Sequence, residues 1–148
     1  MKTKLTLLSF GFFLIATIGF SQGKKDPQSI IVDGVAIKKY HNKQELDRMS
    51  KGQLLDLYVE RIESLVRLLP YIAFATKPGV TMSSLGIPND KDHRSTLEDQ
   101  KDATDKFLEK NLEFQKNILP YSDTNDLTAA ILFYEETMKS LHEYSEFH

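Results

Sequence analysis

The sequence predicts an all-α protein, an up-down-up three-helix bundle with a short N-terminal hairpin or extended arm. Three observations support this fold class. Apolar residues recur at alternating steps of three and four along three long stretches, which is the period of an amphipathic helix. Prolines and a loop separate these stretches. The chain contains no cysteine, so packing rather than disulfide bonds must stabilise it.

The first predicted helix runs from Ser50 to Ala75 and is the most strongly amphipathic. Ser50 and Gln53 have the spacing of a capping box, which satisfies backbone donors at a helix start. Pro70 lacks an N–H and disfavours helical geometry at Leu69, so the helix should kink or end there. The predicted buried face consists of six apolar residues: Leu55, Tyr58, Ile62, Leu65, Leu69 and Ile72.

Two further helices are predicted after a loop. The second runs from Ser95 to Leu119, with Ser95 and Glu98 as its capping box and Pro120 as its stop. Its inward line should be Thr104, Phe107, Asn111, Phe114 and Ile118. The third helix begins between residues 122 and 126 and extends to Tyr144. Its inward line should be Leu127, Ile131, Tyr134, Met138 and Leu141.

The first 21 residues have the organisation of a secretory signal peptide. Lys2 and Lys4 precede an uncharged run from Leu5 to Phe20, and Ser21 completes a small-residue cleavage site. As a helix this run would span about 24 Å, less than the ~30 Å hydrocarbon core, so we expect cleavage rather than membrane anchoring. The mature protein should therefore be exported, either periplasmic or secreted. We expect no membrane insertion after the signal peptide is cleaved.

Residues 22–28 are polar and are predicted to form a disordered leader, so that 29–148 makes a single helical domain. Within the arm, Asp33 and Gly34 form a dipeptide typical of hairpin turns. Asn42 and Glu45 have the spacing of a capping box for a short helix before the first long one. The sequence therefore predicts a hairpin or extended arm that docks on the helices.

The sequence shows no signature of catalysis, metal binding or a cofactor. None of its 4 histidines has a partner at metal-ligand spacing, and no nucleophile motif or glycine-rich phosphate loop is present. No aspartate or glutamate lies within a predicted apolar face, where burial would raise its pKa for acid catalysis. The net charge of −2 gives no electrostatic basis for binding nucleic acid. We therefore expect a protein that is not an enzyme and does not bind nucleic acid.

Two binding hypotheses remain, besides a hydrolase or metalloenzyme of unrecognised type. The loop 76–90 is longer than antiparallel helices need. Its apolar residues either fold over one end of the bundle or, together with a tyrosine at the preceding helix end, bind an unknown protein of the cell envelope. These candidate partner-binding residues are Val80, Met82, Leu85, Ile87 and Tyr71. Alternatively, a cavity between the helices binds a small apolar ligand and is lined by Phe107, Asn111, Phe114 and Tyr134.

Overall fold

A computed structural model of the chain describes residues 28–32 and 35–146, with side-chain surroundings as far as residue 143. This part is helical and contains no strand. Its four α-helices are α1 (Lys43–Leu46), α2 (Lys51–Leu68), α3 (Lys91–Ile118) and α4 (Thr124–Glu146). Three short 3-10 turns lie at Leu69–Tyr71, Ser83–Leu85 and Leu119–Tyr121. The predicted signal peptide, the leader up to residue 27 and the Asp33-Gly34 turn lie outside the described residues.

The predicted starts of α1 and α2 are confirmed, and the predicted start of α3 is wrong. In α2 the Gln53 N–H donates to the Ser50 hydroxyl at 3.3 Å, and the Gln53 side chain accepts from the Ser50 N–H at 2.9 Å. Asn42 and Glu45 make the same reciprocal pair at α1. However, α3 begins four residues before the predicted cap at Ser95, because the carboxylate of Asp90 accepts from a backbone N–H in the first turn.

Both predicted proline stops are confirmed. α2 ends at Leu68 and α3 ends at Ile118, and in each case a Leu-Pro-Tyr turn of 3-10 geometry follows. Proline cannot donate the hydrogen bond that would continue an α-helix, so the chain tightens and leaves the helix axis.

The buried side of α2 differs from the predicted one. α2 contacts both other long helices, and its contact with α4 is the more extensive. Its buried residues are Leu54, Leu57, Arg61, Ser64, Leu65 and Leu68. Of the predicted face, Leu65 is buried, whereas Leu69 and Ile72 are exposed. The buried side of α2 includes Arg61 and Ser64. A prediction that follows only the apolar residues therefore selects a different side of the helix.

Of the inward line predicted for α3, Thr104 is buried as predicted, but the two phenylalanines are not. Thr104, Leu108 and Gln115 are its buried residues, while Phe107 is 55% exposed and Phe114 is 62% exposed. The buried positions of α3 are Leu108 and Gln115, each one residue after the predicted Phe107 and Phe114. The side of α3 that faces α2 is therefore rotated by about one residue from the predicted side. The prediction for α4 fares better, since Leu127, Ile131 and Met138 are all buried.

The N-terminal arm and the loop 76–90 together close one end of the molecule. The Ile30 N–H donates to the Val80 carbonyl at 2.8 Å, and Ser29 forms an isolated antiparallel bridge with Thr81. The arm therefore pairs with the loop in the described residues. The apolar cluster beneath them consists of Ile30, Ile31, Val35, Leu68, Tyr71 and Met82. A second cluster, near the starts of α2 and α4, consists of Leu46, Leu54, Leu57, Leu127 and Ile131.

Candidate functional site

The predicted partner-binding residues belong to the protein's own core. The structure brings all five together at the end closed by the loop. Met82 and Tyr71 are buried, and three partly buried residues, Val80, Leu85 and Ile87, pack against the same cluster. Of the two alternatives for the loop, folding over one end of the helices is the one that the structure shows. These five side chains do not form an open apolar patch.

The four predicted ligand-binding residues lie in different surroundings. Phe107 and Phe114 are mainly exposed, and Asn111 is partly buried on the side of α3 that faces α2. Tyr134 instead contacts Tyr58, with 3.3 Å between the hydroxyl oxygens and an edge-on ring contact at 5.5 Å. Three clefts in the described part of the chain are lined entirely by other residues.

The large exposed apolar residues of α3 lie on one side of the helix. Phe107, Phe114 and Ile118 are separated by seven and four residues, so they lie on one side of the helix. Tyr121, in the turn that follows α3, is 88% exposed. We call these four residues the phenylalanine face. Lys110 is three residues after the first phenylalanine and four before the second, so a cation borders this face on the side away from α2.

A cleft of about 380 Å³ lies between the turn Leu69–Tyr71, the loop 76–90 and the first turns of α3. We call it the Tyr71 cleft. Its volume falls within the range of small-molecule sites. Its apolar lining includes Ile30, Tyr71, Phe74, Met82, Ile87 and Leu97, and its polar lining comes from Asp92, His93, Thr96 and Gln100 on α3.

Most of the polar side chains at the Tyr71 cleft have partners within the chain. The Thr96 hydroxyl donates to the Asp92 carbonyl at 3.0 Å, and the Gln100 amide donates to a threonine hydroxyl at 3.3 Å. His93 Nδ1 lies 2.7 Å from a carboxylate oxygen of Asp90. The hydroxyl of Tyr71 differs, because it is buried and has no hydrogen-bond partner among the described residues.

The hydroxyl of Tyr71 remains protonated over a wide pH range. Burial raises its pKa above the usual value, and the negative charge of Asp105 raises it further. That carboxylate is itself paired with Arg67. Leaving a buried hydroxyl unpaired costs about 1–3 kcal/mol, so this hydroxyl lowers the stability of the folded chain.

A buried ion pair joins α2 to α4. Arg61 is 1% exposed and Glu135 is 0% exposed, and the Arg61 Nε donates to a Glu135 carboxylate oxygen at 2.8 Å. The other carboxylate oxygen accepts from the backbone N–H of His41. Arg61 Nη2 also donates to the Lys39 carbonyl at 2.7 Å. The pair thus fastens the end of the N-terminal arm to both helices.

The expectation that no carboxylate lies within an apolar face was therefore wrong. Glu135 follows Ile131 by four residues and precedes Met138 by three, so spacing alone places it on the buried face of α4. Arg61 likewise lies four residues from both Leu57 and Leu65. The two oxygens of Glu135 are already hydrogen-bonded within the chain, and Glu135 lines none of the three clefts. Glu135 therefore has a structural role, since it connects α4 to α2 and to the end of the N-terminal arm.

No group of three or more possible metal-ligating residues occurs in residues 28–32 and 35–146. Within the same residues, no helix has both the length and the apolar character needed to cross a membrane. Comparison with known proteins gives no family model, no curated protein and no solved structure that matches the chain.

Proposed function

We propose that the chain is an exported, non-enzymatic three-helix bundle of up-down-up order that serves as a protein–protein interaction module of the cell envelope. The observation that carries this proposal is the phenylalanine face. Aromatic side chains are enriched at the centres of protein interfaces, where each one buries a large apolar area. Scattered exposed apolar residues are ordinary, whereas here three large ones share one side of a helix and a fourth lies in the turn that follows it.

The charges beside the patch define the partner's chemistry. Lys106 and Lys110, four residues apart and both exposed, lie along the border of the phenylalanine face that points away from α2. Complementary charges across an interface set orientation and speed encounter. We therefore propose as partner an envelope protein that presents an apolar surface with carboxylates along one edge.

Site-specific photo-crosslinking tests the docking role. The photoreactive amino acid benzoylphenylalanine replaces Phe114 in one variant and Asp56, an exposed residue of α2, in a matched control. In the host's envelope fraction, we expect a discrete cross-linked product from position 114 that is absent from position 56. A variant with Lys106→Glu and Lys110→Glu should reduce that product. Identical products from both positions, or a product made only of two copies of this chain, would contradict the proposal.

Binding of a small apolar ligand is the second candidate function. The residues expected to line its cavity, Phe107, Asn111, Phe114 and Tyr134, line none of the three clefts, whereas the Tyr71 cleft has a suitable size and a mainly apolar lining. A ligand site is therefore better supported at the end closed by the loop than between the long helices.

A further inference from the structure

We propose that α2 has a second apolar side, which binds an amphipathic helix of another protein that carries lysine or arginine along one edge of its own apolar face. This interaction surface goes beyond the phenylalanine face, because it lies on a different helix and requires a partner with cations instead of carboxylates. The inference rests on three observations: the period of the apolar residues on this side of α2, their incomplete burial, and the carboxylates along one edge.

The second apolar side of α2 has the period of a coiled-coil helix. Its apolar residues recur at alternating steps of four and three, which keeps them on a narrow stripe. These residues, which we call the α2 seam, are Leu55, Val59, Ile62, Val66 and Leu69. In heptad terms, the two valines occupy a positions, and leucine or isoleucine occupies each d position. From end to end the seam is about 21 Å long, so it matches a partner helix of about four turns.

The rest of the described chain covers the seam only in part. Val59, Ile62 and Val66 are partly buried, and Leu69 is 49% exposed. None of these four residues belongs to either buried apolar cluster of the described residues or packs against one. α4 and the N-terminal arm instead contact Arg61, which lies on the opposite side of α2 from the two valines. α2 is therefore apolar on two sides, and the chain's own core uses one of them.

Carboxylates line one edge of the α2 seam. Asp56 and Glu63 both occupy the heptad position e, directly after a seam residue, and neither has a cationic partner among the described residues. Arg67, four residues after Glu63, pairs instead with Asp105. The other edge is apolar, since it is formed by Tyr58, whose ring contacts a tyrosine of α4. A complementary helix therefore needs cations along one edge of its apolar face.

The same carboxylates disfavour a second copy of this chain as the occupant of the seam. In an antiparallel pair of α2 helices, the two acidic edges would face each other and repel. In a parallel pair, each acidic edge would face the tyrosine edge of the other copy, and its carboxylates would lose water without gaining a counter-charge. Lysine or arginine from a different protein would pair with these carboxylates, and such edge charges determine which helices associate.

Two synthetic peptides of three heptads test this proposal. Both have isoleucine at a and leucine at d, and they differ at e and g, where the lysine peptide has lysine and the glutamate peptide has glutamate. Fluorescence anisotropy measures their binding to the purified variant with Phe107→Ser and Phe114→Ser, so that a peptide bound to the phenylalanine face is not counted. We expect saturable binding of the lysine peptide, at least about fourfold tighter than the glutamate peptide at low salt. No saturable binding, or tighter binding of the glutamate peptide, would overturn the proposal.

A change in the middle of the seam tests where the peptide binds. In the same background, Ile62→Gln with Val66→Gln should weaken the lysine peptide at least about tenfold, because it removes apolar contact area. Far-ultraviolet circular dichroism should show a retained fold, since neither residue packs in a buried cluster of the described residues. Unchanged affinity would refute the location. Sedimentation of the native chain should show a monomer, and a dimer that Ile62→Gln with Val66→Gln dissociates would mean that a second copy covers the seam.

A charge reversal tests the acidic edge. Asp56→Lys with Glu63→Lys should reverse the preference, so that the glutamate peptide binds more tightly than the lysine peptide. The matched control is Asp102→Lys with Glu109→Lys, which changes the net charge equally at two exposed positions of α3 that are also seven residues apart. This control should keep the preference for the lysine peptide. An unchanged preference in the first variant, or an equal reversal in the control, would show that the edge of the seam does not choose the partner.

Discussion

The buried ion pair between Arg61 and Glu135 gives the sharpest prediction about stability. Glu135→Gln keeps the size of the side chain but removes its charge and one of its two acceptor oxygens. Arg61 would then remain buried with Glu60, whose side chain is 57% exposed, as its nearest counter-charge, and the His41 N–H would lose its acceptor. Removing one partner of a buried pair costs about 3–5 kcal/mol, so we expect a loss of this size.

The double variant with Arg61→Met and Glu135→Leu isolates the interaction between the two charges. It removes both members of the buried ion pair, and the groups that lose partners are the Lys39 carbonyl, the N–H and ring of His41, and the carboxylate of Glu60, which is mainly exposed. We expect its loss of stability to be smaller than the sum of the two single losses by about 1–3 kcal/mol. Replacing both ions by apolar side chains removes the desolvation cost that each single variant retains.

The assay is urea unfolding followed by far-ultraviolet circular dichroism. It should be run near 15 °C, where stability is close to its maximum, because a domain of this kind has only about 5–15 kcal/mol to lose. Glu136→Gln is the matched control, since this neighbouring glutamate makes an exposed pair with Lys139 and should change stability by no more than about 0.5 kcal/mol. A loss under about 1 kcal/mol for Glu135→Gln, or additive single losses, would refute the reasoning.

Three further predictions concern facing, the loop and alkaline pH. Leu108→Ala should cost about 2–5 kcal/mol in urea unfolding because Leu108 is buried, whereas Phe114→Ala should cost no more than about 0.5 because Phe114 is exposed; equal losses would contradict the facing of α3. Met82→Ala should also cost about 2–5 kcal/mol, since Met82 lies in the core, and a negligible loss would mean that the loop does not close that end. Burial, helped by the hydrogen bond with Tyr58, raises the pKa of Tyr134 to about 12. Its folded pKa exceeds the unfolded value near 10, so its contribution to stability is complete below pH 10 and is lost as the pH rises through 12. Tyr134→Phe should reduce the tyrosinate absorbance that develops near pH 12 by the amount of one tyrosine, and an unchanged late titration in that variant would refute the assignment.

The sequence predicts the helical class, both proline stops and two of the three capping boxes because these are local features. A Pro or a Ser-x-x-Gln pattern acts on the backbone beside it, whatever the tertiary structure. The spacing of α4 also placed Leu127, Ile131 and Met138 inward correctly, although Glu135 interrupts their apolar line. These elements could be derived without knowing what packs against them.

Which side of α2 and which side of α3 is buried depends on contacts between residues that are distant in sequence. Arg61 becomes buried only because Glu135 and the Lys39 carbonyl satisfy its donors, and those partners are 74 and 22 residues away along the chain. On α3 both sides of the helix carry apolar residues, and the strip around Leu108 rather than Phe107 meets α2. Apolar spacing alone does not indicate which of two such sides is covered.

The residues that line the Tyr71 cleft were not predicted together, for the same reason. Tyr71 and the loop 76–90 were recognised as apolar groups near one another, but the cleft also needs Ile30 from the arm and the first turns of α3. The predicted start of α3 at Ser95 left Asp92 and His93 in a loop. The Asp90 cap, with a histidine three residues later, was the sequence signal that would have extended the helix and placed these residues beside Tyr71.

Thiol labelling of a single-cysteine variant, Phe114→Cys, tests whether this position is exposed in the folded protein and covered by a partner in the envelope. The native chain contains no cysteine, so a maleimide reports on this one position. We predict rapid labelling of the purified folded protein, at a rate close to that of the unfolded chain, and slow labelling in the host's envelope fraction, where a partner covers the phenylalanine face. Slow labelling of the purified monomer would show that position 114 lies on the buried side of α3. Equally rapid labelling in both samples would contradict the docking role.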